Sequence, residues 1–336
     1  MTATSITSEP PGNEAAARTS MASRLRNSMR GGTLIIVLVA MIIVFSVQSP
    51  LFFSYGNLVS ILQACVVVGL LSLGLCVVVL TGGIDLSFAS VLALASVVAG
   101  AVNVNLHQSA FVSVLAALVV GALFGLVNGV LVAYTRLQPF VVTLGTYSIA
   151  LAASLAVSGG GPIQGLSQDF KDMTAYRIAG IPIAVFVLII VIAVLWVATR
   201  QTRWGRFIYA TGGNEQAARY AGIRISRIKL SAYIVCGLTA AIAGILNTST
   251  LQVAQPQPGF NLLLTAVAAV VVGGTSLLGG VGSIGGTVVG IVLLAVLSNG
   301  LNVLTVAPFW QNLVLGIVII GAVLLNDAVI SRTRRS

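Results

Sequence analysis

The sequence predicts an all-α polytopic membrane protein of about ten transmembrane helices, with N- and C-termini cytoplasmic. Three observations carry that prediction. Of 336 residues, 57% are hydrophobic and 7% are charged, whereas a soluble domain carries about 25% charged residues. Apolar runs of spanning length recur along the chain, separated by short polar or Gly-rich turns. The basic residues collect in a few segments that fall on one side of the membrane when ten spans are threaded. The net charge of +10 is therefore read as positive-inside topology, and no nucleic acid partner is expected.

Residues 1–32 are rich in Ser, Thr, Ala, Pro and Gly and carry Arg18, Arg24, Arg26 and Arg30. They cannot bury enough apolar surface to fold alone, so a disordered basic cytoplasmic tail is expected. Residues 33–330 form the transmembrane domain, and 331–336 a second cytoplasmic tail. Thr33 to Val47 has the length of a signal-peptide core, but Gln48-Ser49-Pro50-Leu51 offers no small-residue cleavage site, and it is read as an uncleaved first span. Further spans are expected at about 58–80, 86–104, 110–134, 140–157, 181–198, 231–251, 263–278, 284–305 and 311–330. With the N-terminus inside, every Lys and Arg except Lys171 and Arg177 lies in a cytoplasmic segment. One span fewer or more would put Arg200 to Lys229, or Arg332, Arg334 and Arg335, on the wrong side.

The two halves of the chain echo one another. Asn128-Gly129 recurs as Asn299-Gly300 and Leu144-Gly145 as Leu315-Gly316 at one separation, with Pro139-Phe140 and Pro308-Phe309 between them. Two five-span halves insert with opposite orientation, which is the inverted-repeat plan of many transporters, with the substrate path between the halves.

Two stretches interrupt the apolar pattern. In Thr81-Gly82-Gly83-Ile84-Asp85-Leu86-Ser87 the glycines let the chain leave a helix, and Asp85 is suited to cap the next one. An ionisable residue near the bilayer is a functional candidate. The competing reading is a capping Asp at the cytoplasmic interface, within reach of water. Gly273 to Gly286 is the other break, opening on Gly273-Gly274. A P-loop needs a Lys after its last Gly, and the chain's lysines are Lys171 and Lys229. No nucleotide is therefore expected to bind this chain, and close helix packing is the better use of these glycines. Uncharged polar residues in or beside the spans include Gln63, Asn128, Thr143, Asn247, Thr248, Gln252, Asn299 and Asn302. They suit either a neutral, hydroxyl-rich solute or interhelical hydrogen bonds. The single histidine, His107, argues against His-rich metal sites and a His-based triad, so neither catalytic residues nor a metal are expected. Cys65, Cys76 and Cys236 lie in apolar runs and read as small buried hydrophobes.

The long polar island, Arg200 to Lys229, holds Arg200, Arg203, Arg206, Arg219, Arg224, Arg227 and Lys229 against Glu215 alone. Asn214 to Tyr220 reads as a short helix, N-capped by Asn214 and stopped by Gly222. A soluble, capped helix between two spans resembles a handle for another protein.

Taken together, the motifs resemble those of the permease subunits of bacterial ATP-binding-cassette sugar importers of the ribose/xylose type. The residues that carry the resemblance are Thr81 to Ser87, Val127-Asn128-Gly129, Gln138 to Thr146, Gly213 to Gly222, Ala268 to Leu277 and Ser298 to Asn302, within about residues 33–328. The resemblance implies that two permease chains, identical or different, form the pore. It implies two separate cassette ATPase subunits that bind ATP-Mg, and a periplasmic or lipid-anchored sugar-binding protein that delivers a monosaccharide. It places ATPase coupling on Gly213, Asn214, Glu215, Gln216, Ala217, Ala218, Arg219 and Gly222, and location in the bacterial inner membrane. Gly82, Gly83, Asp85, Asn128, Thr143, Asn247, Gly273, Gly274 and Asn299 are the candidates for helix breaks or the solute path. Two departures stand out: Gln216 where an acid commonly precedes the Ala pair, and Leu263 and Thr265 where some relatives carry acids. The alternative is an ion-coupled secondary transporter using Asp85.

Overall fold

The computed structural model describes residues 34–257 and 260–334, with side-chain surroundings as far as residue 321. The tail 1–32, expected to be disordered, lies outside the described residues. The chain is built from α1 (Leu34–Gln48), a 3-10 turn (Pro50–Phe53), α2 (Tyr55–Leu80), α3 (Phe88–Val104), α4 (Ala110–Tyr134) and α5 (Pro139–Ser158). A folded excursion comes next: α6 (Gln168–Ala175), then β1 (Arg177–Ile178) and β2 (Ile181–Pro182). After it come α7 (Ile183–Gln201), α8 (Arg203–Gly213), α9 (Glu215–Tyr220), α10 (Ile225–Leu251), α11 (Phe260–Val272), α12 (Ile284–Val303) and α13 (Pro308–Arg334). Among the described residues, six helices (α2, α4, α5, α7, α10 and α12) are long and apolar enough to cross a membrane, and four shorter apolar helices accompany them.

Helices α2 and α10 pack together at the centre. Leu70 to Leu80 of α2 and most of α3 are buried on all sides, as expected of helices that are apolar all round. Outer helices keep an apolar face uncovered: on α4, Phe111, Leu115, Val119 and Leu123 form one stripe at a spacing of four. In a membrane that stripe meets hydrocarbon.

The packing repeats. Helix α10 lies on α3 and α4, and α2 lies on α11 and α12; α3 touches α4 and α5, and α11 touches α12 and α13. Exchanging α2 with α10, α3 with α11, α4 with α12 and α5 with α13 maps one set of neighbours onto the other. The sequence echoes fall on corresponding places. Asn128-Gly129 is in α4 and Asn299-Gly300 in α12, and Pro139 and Pro308 each open a helix, where a proline's missing N–H costs nothing. Close approach is made by small residues. A Cβ on Gly121 of α4 would collide with the Gly237 carbonyl oxygen of α10, so the two backbones touch.

The excursion between α5 and α7, which carries Lys171 and Arg177, is held by hydrogen bonds to the bundle. Asn103 accepts from the Ser167 N–H at 2.8 Å, Asp169 accepts from the Ala110 N–H at 2.9 Å, and Ser249 donates to the Phe170 carbonyl at 2.8 Å. Phe170 is fully buried beneath it. The hairpin turns on Ala179 and Gly180, both with positive φ (51° and 81°), as a two-residue type I′ turn requires.

Candidate translocation pathway and coupling site

The break after α2 begins as a left-handed helix stop. Gly82 takes φ +79°, with its N–H on the Val79 carbonyl and the Gly83 N–H on the Val78 carbonyl, a Schellman arrangement. The surroundings of Asp85 correct its reading as a solvated cap. Asp85 is 1% exposed, and its Oδ1 accepts from both the N–H (2.8 Å) and the hydroxyl (2.7 Å) of Ser87. The Asn128 amide donates to the Ser87 Oγ at 2.7 Å and accepts from the Thr146 hydroxyl at 2.7 Å. Tyr233 of α10 donates to the Ile84 carbonyl at 3.1 Å, and the Thr143 hydroxyl lies 3.4 Å from the same oxygen. Side chains from α4, α5 and α10 thus hold the break. Both ends of the Asn128 amide are taken within the protein, and Asp85 and Thr143 are buried.

The other candidates are placed differently. Asn247 of α10, with Gln63 of α2 and Thr250, lines a cavity of about 220 Å³ between α2, α10, the start of α7 and Leu262 of α11. It lies between the two central helices, toward the end opposite α8 and α9. Its volume is a little below the roughly 300 Å³ at which small-molecule pockets commonly begin. Asn299 pairs both amide atoms with Asn57, at 2.9 and 3.0 Å, where both side chains are half-buried. Gly274 stops α11 with φ +85°, and a Cβ on Gly273 would lie 2.5 Å from the Gly286 carbonyl oxygen, so this pair ends one helix and seats the next. Gln311 and Asn312, which sequence reasoning passed over, share a second cavity of about 180 Å³ with Asn261, Thr265 and Ser298.

At the α8–α9 end, Asn214 accepts from the Ala217 N–H at 2.9 Å, and Gly222 takes φ +79° with the Ile223 N–H on the Ala218 carbonyl. Helix α9 presents Glu215, Gln216, Arg219 and Tyr220 outward, Tyr220 being 85% exposed, and tucks Ala218 inward. Glu215 bonds Lys229 at 2.7 Å and Arg219 at 3.2 Å. The Lys229 ammonium, followed by Arg219, holds the Glu215 carboxyl below its ordinary range. Helix α8 was missed from sequence because its apolar positions, Trp204, Phe207, Ile208 and Tyr209, sit in a short run broken by Arg and Gly. Its signal was there in the Thr202 N-cap, which accepts from the Gly205 N–H at 3.3 Å, and in Ile208 and Thr211, buried at a spacing of three.

A bundle of apolar helices with polar breaks at its centre and an exposed helical segment at one end is the architecture of a polytopic membrane protein. The family model described as "Branched-chain amino acid transport system / permease component" matches residues 57–323, and the chain belongs to that family. It is 41% identical over 297 residues to a ribose import permease protein of Escherichia coli K12, covering 87% of this chain and 92% of the relative. It is 35% identical over 301 residues to the D-allose transport system permease of the same strain (90% and 92%). Its identity to a fructose import permease of Rhizobium meliloti is 36% over 306 residues (87% and 84%). No solved structure matches. Family and apolar helices together make it a multi-pass protein of the bacterial cytoplasmic membrane.

Proposed function

We propose that this chain is the pore-forming permease subunit of an ATP-binding-cassette importer for a monosaccharide or a similar neutral, hydroxyl-rich solute. The observation that carries the reading is the capped, outward-facing helix α9 on a bundle whose relatives import ribose, allose and fructose. All ten apolar helices cross the membrane, in two inverted five-helix halves, with both termini and the α8–α9 segment in the cytoplasm. The exchange symmetry of the packing supports the halves, and the clustering of Arg and Lys supports the orientation.

Two separate ATPase subunits bind ATP-Mg and dock on Gly213 to Gly222, and a second permease chain completes the pore. A periplasmic or lipid-anchored sugar-binding protein delivers solute to the α6 end. Gln63 and Asn247 face the solute from the central cavity, where neutral donors and acceptors replace water on sugar hydroxyls without binding an ion. Asp85, Asn128 and Thr143 are scaffold: their hydrogen bonds go to Ser87, Thr146 and the Ile84 carbonyl, which hold the break in place. An ion-coupled mechanism through Asp85 is disfavoured, because the carboxylate is enclosed and lines neither of the two polar cavities.

Purification from the native membrane in mild detergent, followed by mass spectrometry, tests the assignment. A cassette ATPase in the complex is the expected result. A chain that comes out alone and moves solute on an ion gradient without ATP contradicts it.

A further inference from the structure

We infer that the C-terminal end of α8, rather than the exposed helix α9 alone, transmits movement of the cytoplasmic segment to both halves of the bundle, with Gly212 and Tyr209 as positioning residues. The inference rests on the reading of the α8–α9 segment as the ATPase contact. Three backbone segments meet at this point: the end of α2, the end of α8 and the turn at 279–282 between α11 and α12. The Gly280 N–H donates to the Leu80 carbonyl at 3.0 Å. A Cβ on Gly212 would overlap that carbonyl oxygen and lie 2.6 Å from the Gly280 nitrogen. A Cβ on Gly279 would lie 2.7 Å from the Gly82 Cα, and one on Gly280 2.6 Å from the Gly213 Cα. No side chain separates the three segments.

This contact differs in kind from a loop resting on a bundle. Flexible side chains between two elements absorb a displacement, whereas touching backbones pass it on, because close-packed interfaces switch between discrete arrangements instead of yielding. The two receiving segments belong to different halves: Leu80 and Gly82 end a helix of the first, and 279–282 opens a helix of the second. A second tie reinforces the junction. Tyr209, one turn back on α8, donates its hydroxyl to the Gly282 carbonyl at 3.0 Å. Burial pushes the Tyr209 phenol up to about 12, so it stays a donor at working pH. Beside it the Thr211 hydroxyl is buried, with no partner among the described residues, so this arrangement of the junction leaves one polar group unsatisfied. Movement at α8 therefore reaches the α2 break and the α11–α12 turn together.

The test uses the complex of this chain with its co-purified ATPase subunits in liposomes, supplied with the sugar-binding protein of the same system and with ribose as the probe. Uptake, ATP hydrolysis and ATPase retained per permease are measured together. Gly212→Ala is expected to lower uptake about tenfold with ATPase retained and hydrolysis continuing. Tyr209→Phe, which removes one oxygen and little packing, lowers uptake about fivefold with the same split. Gly285→Ala, at an exposed glycine in the same Gly-rich stretch whose Cβ would meet nothing within 4 Å, behaves as the parent. Should Gly212→Ala not assemble, Tyr209→Phe decides alone. Parent-like uptake in the variants, or uptake and ATPase retention falling in step, overturns the inference. A parent chain recovered without any ATPase overturns the docking reading itself, which keeps the two failures apart.

Discussion

The two central helices leave the bundle core through crossovers built from different chemistry. After α2, residues 81–87 are held by buried side chains from three other helices around Asp85 and the Ile84 carbonyl. After α10, Gln252 turns the chain with φ +57°, and residues 252–257 are held mainly through backbone. Ile163 and Ala254 exchange N–H to carbonyl bonds at 2.9 and 3.0 Å, and Ser154 donates to the Pro256 carbonyl at 3.1 Å. Opening the second returns mostly backbone groups to water near the chain's α6 end. Opening the first would strand a carboxylate, an amide and hydroxyls among apolar neighbours, which is far costlier. Places that correspond in the two halves therefore differ in rigidity, and the stiff one lies beside the α8 junction.

Four substitutions sharpen or break that contrast. Asp85→Ala leaves the Ser87 N–H and hydroxyl buried without their acceptor and should cost on the order of 3 kcal/mol, read as a lowered thermal midpoint in detergent. Asp85→Asn keeps an acceptor oxygen and should retain most uptake; complete loss of uptake in a folded Asp85→Asn protein would revive ion coupling. Asn128→Ala removes two interhelical bonds, worth about 1–2 kcal/mol. Ser154→Ala, at the other crossover, should cost no more than about 1 kcal/mol. A thermal midpoint that fell as far for Ser154→Ala as for Asn128→Ala would erase the distinction.

The smallest effect is at Glu215, whose ion pairs are partly exposed, so Glu215→Gln should change stability by less than about 1 kcal/mol. The sign comes from a carboxyl depressed in the folded state. Its contribution is present above the unfolded carboxyl value, about 4.3, and is lost as pH falls through the lower folded value. Acid titration of parent and Glu215→Gln should therefore converge at low pH and differ slightly above it.

Much of this was legible in the sequence because two signals are local. Apolar run length located the helices, and the Asn214 and Gly222 caps located α9, since capping depends on residues three or four apart. The character of Asp85 was not legible. A Gly-Gly-Ile-Asp turn reads as solvent-facing until Asn128, Thr143 and Tyr233 are brought to it from separate helices, and that closure is a tertiary property. The same limit applies to Gly212: a glycine pair marks a flexible end, but only the fold shows which backbone touches it. Helix α6 was missed because its few buried residues, Phe170 and Thr174, sit in a short polar stretch with no periodic run. The echo between halves was faint in sequence, and the matching packing of α2 and α10 gives it weight.

The most direct measurement of the central claim is ribose accumulation in liposomes holding the purified complex, with its sugar-binding protein outside, ATP inside or absent, and ion gradients collapsed by ionophores. The account predicts accumulation that needs ATP on the α8–α9 side, is indifferent to ionophores, and falls when Gly222 is replaced by Val, which its positive φ does not tolerate. Accumulation without ATP that ionophores abolish would contradict it.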